Sequence, residues 1–117
     1  LNHADLLAQI PLFEGLTDED RTALAARMNE RPYKAGQPVF AMGEYGSSMY
    51  IVLSGAVQIF LPPKDKEGER VVLKDTRTGE YFGELSLFDD KPRSASVDAT
   101  VDTTLLELTR DEFAEHL

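Results

Sequence analysis

Cysteine is absent from all 117 residues, which removes disulfides, thiolate metal sites and cysteine nucleophiles together and is compatible with a reducing compartment. Histidine is nearly absent. His3 and His116 stand at opposite ends of the chain, neither with Asp or Glu at metal-ligand spacing, so both read as ordinary exposed histidines. Without clustered imidazoles a metal-using β-barrel enzyme is not expected. Ser47, Ser48, Ser54, Ser86, Ser94 and Ser96 have no histidine beside them in a recognisable motif, so a serine nucleophile is unsupported and no enzymatic role is expected. Long apolar runs are missing too. No stretch approaches the roughly 20 apolar residues that cross a bilayer, and the start lacks the basic and apolar regions of a signal peptide, so a cytoplasmic location is expected. Positive charge is scarce: 12 Lys and Arg face 21 Asp and Glu, a formal net charge of −9. A field of that sign repels nucleic-acid phosphates, so direct DNA binding is not expected. A small anionic ligand would need concentrated local positive charge, and the few arginines therefore have to be taken one by one.

The length suits one hydrophobic core, and residues 1–117 are expected to form a single domain. The chain opens at Leu1 and closes inside an apparent amphipathic segment, Asp111 to Leu117. This suggests a piece of a longer protein, with partners in the flanks.

The first thirty residues read as two short helices. Leu6, Leu7 and Ile10 form one apolar stripe, Pro11 interrupts it, and Leu24, Ala25 and Met28 form another. Thr17 with Asp20 three residues on resembles a capping box, with Asp for the usual Glu, and starts the second helix near Asp18. From Tyr33 the period changes. Short β-rich runs follow over Val39–Met42, Met49–Leu53, Val57–Leu61, Val71–Leu73, Ser94–Ala99 and Thr103–Leu108, separated by Gly, Pro and Asp. Strands without long intervening helices favour antiparallel pairing through short turns, and a barrel-like roll hides their edges. The charged, Pro-rich stretch Pro62–Glu69 reads as a solvent-exposed hairpin tip. Gly43, Gly46 and Gly55 read as turn formers whose job is backbone geometry.

The most informative stretch runs from Gly79 to Ala95. A strand ending in Tyr81-Phe82 reaches Gly83, a single helical turn follows over Glu84–Phe88, a tight loop holds Pro92, and Arg93 opens the next strand. A helix N-terminus leaves N–H groups unpaired and favours an anion, while Gly83 lets the backbone come close. Arg93 adds a full positive charge in a planar fork that matches phosphate oxygens. Glu84 is repulsive beside a phosphate unless it has a donor of its own, and a ribose hydroxyl would be one, so the pattern favours a nucleotide over a bare anion. The plainer alternatives are that Arg93 pairs with Asp89 or Asp90 at the surface and that Glu84 caps the turn.

At these residues the chain resembles the cyclic-nucleotide-binding domain family of bacterial catabolite activator proteins, cyclic-nucleotide-dependent kinases and gated channels. Phe82, Gly83, Glu84, Leu87, Arg93, Ser94 and Ala95 fit the family's phosphate-binding cassette. Gly43-Glu44, Gly46, the apolar run from Met49 and Gly55 fit its earlier glycine signature. Phe40 departs from the smaller apolar residue usual there and reads as harmless packing variation. The resemblance implies a mainly β fold with flanking helices, an antiparallel, jelly-roll-like β-roll of about eight strands with a short cassette helix. It implies a cyclic nucleoside monophosphate as ligand, with no other cofactor. Glu84 would accept from the ribose 2'-hydroxyl, Arg93 would pair with the cyclic phosphate, Gly83 and Ser94 would complete the cradle, and Ala95 would donate from its backbone. Leu85 and Ser86 complete the expected contacts. A Thr at the position of Ser94 often accompanies cGMP, so Ser94 tilts the expectation toward cAMP. The expected role is a sensor in which Leu87, Phe113 and Leu117 act as a hinge to an output domain outside this chain, with homodimerisation through a following helix. The rival is a β-roll kept as an interaction or dimerisation scaffold that no longer binds nucleotide.

Overall fold

The computed structural model describes residues 2–115. Three short helical pieces lead the chain: α1 over His3–Ala8, a 3-10 turn over Pro11–Phe13, and α2 over Asp18–Arg27. Asn2 caps α1 and Thr17 caps α2, each side chain accepting the N–H three residues on, at 2.8 and 3.1 Å. Leu7, Ile10, Phe13, Leu24, Ala25 and Met28 are buried, and Leu6, the remaining member of the expected stripes, is half-buried. Eight strands follow: β1 Asn29–Tyr33, β2 Pro38–Phe40, β3 Ser48–Ser54, β4 Ala56–Leu61, β5 Val71–Arg77, β6 Tyr81–Phe82, β7 Ser96–Ala99 and β8 Thr103–Thr109. They form two antiparallel four-stranded sheets, β1-β8-β3-β6 and β2-β7-β4-β5.

The central strand β3 shows how the layers stack. Its side chains alternate faces with period two. Met49 and Ile51 join a cluster with Leu7, Ile10, Phe13, Leu24, Leu87 and Phe113, so this face is covered by the helices. Tyr50 and Val52 point the other way, into a second cluster with Val57, Phe82, Val97 and Leu105 inside the roll. β8 repeats the arrangement, with Leu106 and Leu108 under the helices and Leu105 in the roll. A strand buried on both faces reads as one apolar run, which is why Met49–Leu53 was conspicuous in the sequence.

Several boundaries differ from the sequence reading; the strand expected over Val39–Met42, for one, ends at Phe40. β1 (Asn-Glu-Arg-Pro-Tyr) carries no apolar alternation and lies mostly exposed on the sheet edge. It is a strand because it pairs with β8 from Asn29↔Glu107 to Tyr33↔Thr103, and its Pro32 is tolerated on an edge. β5 continues through polar residues to Arg77, because β4 offers a ladder from Leu61↔Val71 to Ala56↔Arg77, interrupted by one register shift between Ile59 and Phe60. β7 begins at Ser96, not at Arg93 or Ser94. Before that point the backbone is tied to the loop between β2 and β3, Gly43 N–H donating to Arg93 O at 2.9 Å and Arg93 N–H to Glu44 O at 2.7 Å. The Pro62–Glu69 hairpin tip lies between β4 and β5 as expected, exposed beyond Pro62.

After β8 comes α3, Arg110–Ala114, closed by a reciprocal capping box between Thr109 and Glu112. Phe113 packs edge-on against Phe13 and Phe88, with ring centroids 6.0 and 5.7 Å apart. No described helix is long and apolar enough to cross a membrane.

Candidate functional site

The segment after β6 turns at Gly83, whose φ of +78° is strained for any residue with a Cβ. A four-residue 3-10 turn, Glu84–Leu87, then leads through Asp89–Lys91 to Arg93. So short a turn leaves the positive charge of the site to Arg93. The turn and the loop wall a cavity of about 280 Å³ whose other side is Phe40, Ile59, Phe82 and Val97 from both sheets. Gly83, Glu84, Leu85, Ser86, Arg93, Ser94 and Ala95 all line it. All seven residues expected at the ligand therefore share one cavity. Glu84 is half-buried at the wall, and its carboxylate makes no hydrogen bond or ion pair among the described residues. Leu85 and Ser94 are exposed at the mouth, whereas Ser86 and Ala95 are buried.

Arg93 is 7% exposed. Its Nη1 donates to Ser86 Oγ at 2.8 Å and, at the limit of hydrogen bonding, to Gly83 O at 3.5 Å; its Nη2 donates to Ser48 O at 2.8 Å. The buried Nε has no partner, and no carboxylate among the described residues forms an ion pair with the guanidinium. Burial lowers its pKa, against the more distant pull of Tyr50, Glu107 and Glu44. Burying a charge without a counter-ion is costly, so the site is built around a cation with unused capacity for an anion. The surface pairing considered for Arg93 does not occur: Arg110 takes Asp90 instead.

Two residues the sequence reading set aside belong to the site. Phe40 lies beneath the guanidinium, 4.1 Å from ring centroid to Cζ, a cation–π contact that partly replaces lost hydration. It also packs on Tyr50 and Phe82, which stack on each other at 5.3 Å. The departure at Phe40 is thus the floor of the arginine site and not neutral packing. Gly46 has no positive φ, so it is not needed for turn geometry. A Cβ there would stand 2.5 Å from Arg93 Nη2. Its absence of side chain is what admits the guanidinium. Gly43 and Gly55, at φ +91° and +98°, are the turn formers expected. Only the oddity of a phenylalanine beside the glycine signature pointed to Phe40, and nothing local distinguished Gly46 from its neighbours.

Behind the cavity, Tyr50 donates to Glu107 Oε2 at 3.2 Å and Arg31 donates to Glu107 Oε1 at 3.1 Å. Burial first and Glu107 second push the Tyr50 phenol well above its ordinary value, and burial also raises Tyr33. Of the expected hinge residues, Leu87 and Phe113 meet in the cluster under the helices. Leu117 lies outside the described residues, as does His116. Among the described residues no group of His, Asp and Glu could hold a metal ion.

Residues 30–117 match the model of a family described as the cyclic nucleotide-binding domain. A cAMP-dependent protein kinase regulatory subunit of Aspergillus niger is 36% identical over 107 residues, covering 92% of this chain and 25% of that protein. A cyclic AMP receptor protein of Thermus thermophilus is 39% identical over 103 residues, covering 88% of this chain and 47% of that protein. The chain thus spans about a quarter to a half of these relatives. The regulatory domain of Toxoplasma gondii PKA, solved with cAMP, superposes with a TM-score of 0.82 at 25% identity, covering 97% of this chain and 43% of that one.

Proposed function

The chain belongs to the cyclic nucleotide-binding domain family, and from that premise we propose that it is a sensor for a cyclic nucleoside monophosphate, cAMP in preference to cGMP. The observation that carries this reading is Arg93, a buried guanidinium without a carboxylate partner among the described residues, at the wall of a ligand-sized cavity. The cyclic phosphate takes the fork of Arg93, with Gly83, Ser86, Ser94 and the backbone of Ala95 around it. The unpaired carboxylate of Glu84 accepts the ribose 2'-hydroxyl. Leu85, Ile59 and Val97 offer apolar surface to the flat base. The absence of a threonine at position 94 supports the preference for cAMP, as do the names of both relatives.

Occupation of the cradle moves the turn that bears Leu87, and Phe113, in the same apolar cluster, carries the movement into α3. Leu117 would continue the same face toward an output domain outside this chain. In this reading the 117 residues are one non-catalytic, cytoplasmic regulatory domain, and contact with nucleic acid or with a second copy falls to that flank. Among the described residues of α3 the large apolar side chain, Phe113, is buried, which does not favour the scaffold alternative.

Isothermal titration with cAMP and cGMP, with Arg93→Ala as control, tests the reading. Saturable heat that the substitution removes, stronger for cAMP, is the expected result. No heat with either nucleotide and an unchanged melting temperature would overturn it.

A further inference from the structure

An arginine from outside the cassette also reaches it: Arg110, the first residue of α3. It does not line the cavity. Its side chain nonetheless holds the cassette at three points: Nε and Nη2 both donate to Ser86 O, at 3.0 and 2.7 Å, Nη2 also reaches Asp89 O, and Nη1 pairs with the Asp90 carboxylate. Its backbone N–H donates to Ser47 O at 2.7 Å. The acceptors of Arg93 are the Ser86 hydroxyl and the Ser48 carbonyl. Arg110 therefore grips the other side of one acceptor residue and the immediate neighbour of the second. Ser86 is a shared joint, its hydroxyl held by Arg93 and its carbonyl by Arg110.

We propose that Arg110 is a positioning residue of the ligand site, fixing the Ser86 hydroxyl in front of Arg93 and so linking the first turn of α3 to the orientation of the phosphate-binding guanidinium. Ser86 belongs to a four-residue 3-10 turn that has few internal bonds to hold it. Three contacts from one planar fork hold a loop more firmly than single-donor contacts, because the geometry is set once for all of them. Any movement of α3 must break or carry these bonds, so the same residue that orients Arg93 reports its state to the helix. The contact is reciprocal: a ligand that binds better while Arg93 is held at Ser86 strengthens the hold on α3 by the same coupling.

The proposal rests on the reading of the cavity as a cyclic-nucleotide site, and its first readout is independent of ligand. The Arg93 Nε–H is buried and unpartnered, which gives it a distinct resonance in nitrogen-15 spectra of the 117-residue chain, assigned by its loss in Arg93→Ala. In Arg110→Ala that resonance is expected to shift and broaden, and the Kd for cAMP to rise about fivefold or more, within the range of couplings between contacting residues. Ser86→Ala should do the same. The double variant should equal Ser86→Ala alone, because without the hydroxyl Arg110 has nothing to present. Should Arg110→Ala fail to fold, Arg110→Gln, which keeps bulk and loses the fork, repeats the test. A residue that only stabilises α3 would lower the melting temperature, leave the Arg93 resonance in place, and add its effect to that of Ser86→Ala; either of the last two results overturns the proposal. If the unmodified chain binds neither nucleotide, the reading of the cavity fails, and the Arg93 resonance in the free protein still decides the role of Arg110.

Discussion

Replacing Gly46 with alanine separates folding from binding. A Cβ at this position meets Arg93 Nη2 at 2.5 Å, Nε at 2.6 Å and Cζ at 2.8 Å, and no other atom lies as close. Backbone conformation is not at issue, since Gly46 has no positive φ. The obstacle is the far end of a flexible side chain, so the fold can accommodate the methyl by letting the guanidinium retreat. To move from 2.5 Å to the 3.4 Å at which ordinary contact begins, the shift is about 0.9 Å. The Gly83 backbone limits it on another side, its carbonyl oxygen 3.5 Å from Nη1, and the Phe40 ring limits it from below. The guanidinium must therefore leave Ser48 O and Ser86 Oγ. Misplacing a binding group by about 1 Å is worth on the order of 100-fold, or about 2.7 kcal/mol. Overpacking should cost the fold about 1 to 3 kcal/mol. Gly46→Ala is thus expected to unfold cooperatively in urea with a modestly lowered midpoint, yet to bind cAMP about 100-fold more weakly in calorimetric titration. Gly55→Ala is the contrast: its Cβ would meet Asp102 O at 2.6 Å and Thr103 Cα at 2.8 Å, at φ +98°, so stability falls and the folded fraction binds normally. A Gly46→Ala protein whose Kd stays within about threefold of the original would refute the role given to Arg93 and to the space beside it.

Thr109→Ala removes the hydroxyl of the capping box that starts α3, where Thr109 Oγ1 accepts the Glu112 N–H at 3.2 Å; a loss of about 0.5 to 2 kcal/mol is expected by urea unfolding, and no loss would mean that packing of Phe113 alone holds the helix. Stability should also fall at alkaline pH. Tyr50 and Tyr33 both have phenols raised above the ordinary value of 10.0, so the folded chain keeps protons that the unfolded chain releases. Their contribution is fully present below about pH 10 and is lost as pH rises from there toward the folded values. Unfolding midpoints measured from pH 8 upward should decline above 10, and Glu107→Gln should bring the Tyr50 titration partway back in ultraviolet absorbance, since burial is the larger cause. A midpoint flat through this range would refute the burial assigned to Tyr50.

Much of the fold was legible because the relevant signals are local. The stripes before Tyr33, the Thr17 cap, the alternating or continuous apolar runs of β3, β4 and β8, and the charged tip at Pro62–Glu69 each follow from residues a few positions apart. β1 was not legible. Asn29–Tyr33 is polar on both faces and becomes a strand only because β8, over seventy residues later, offers its edge. The same reason explains β7: the positions after Pro92 suit a strand, but backbone bonds from Arg93 to Gly43 and Glu44 hold them in a loop until Ser96.

The candidate site divides along the same line. Order and spacing along the chain determined the cassette, from Gly83 and Glu84 to Arg93, Ser94 and Ala95, because its chemistry is carried by residues close in sequence around one turn. What lies around Arg93 was decided only by the tertiary structure. Phe40 beneath it, Gly46 and the Ser48 carbonyl beside and before it, and Arg110 behind Ser86 come from three other segments, brought together by the pairing of β3 with β8 and of β2 with β7. A sequence records which groups a chain possesses, but a buried guanidinium is set by what surrounds it, and surroundings in a β-roll are made by strands far apart in the chain.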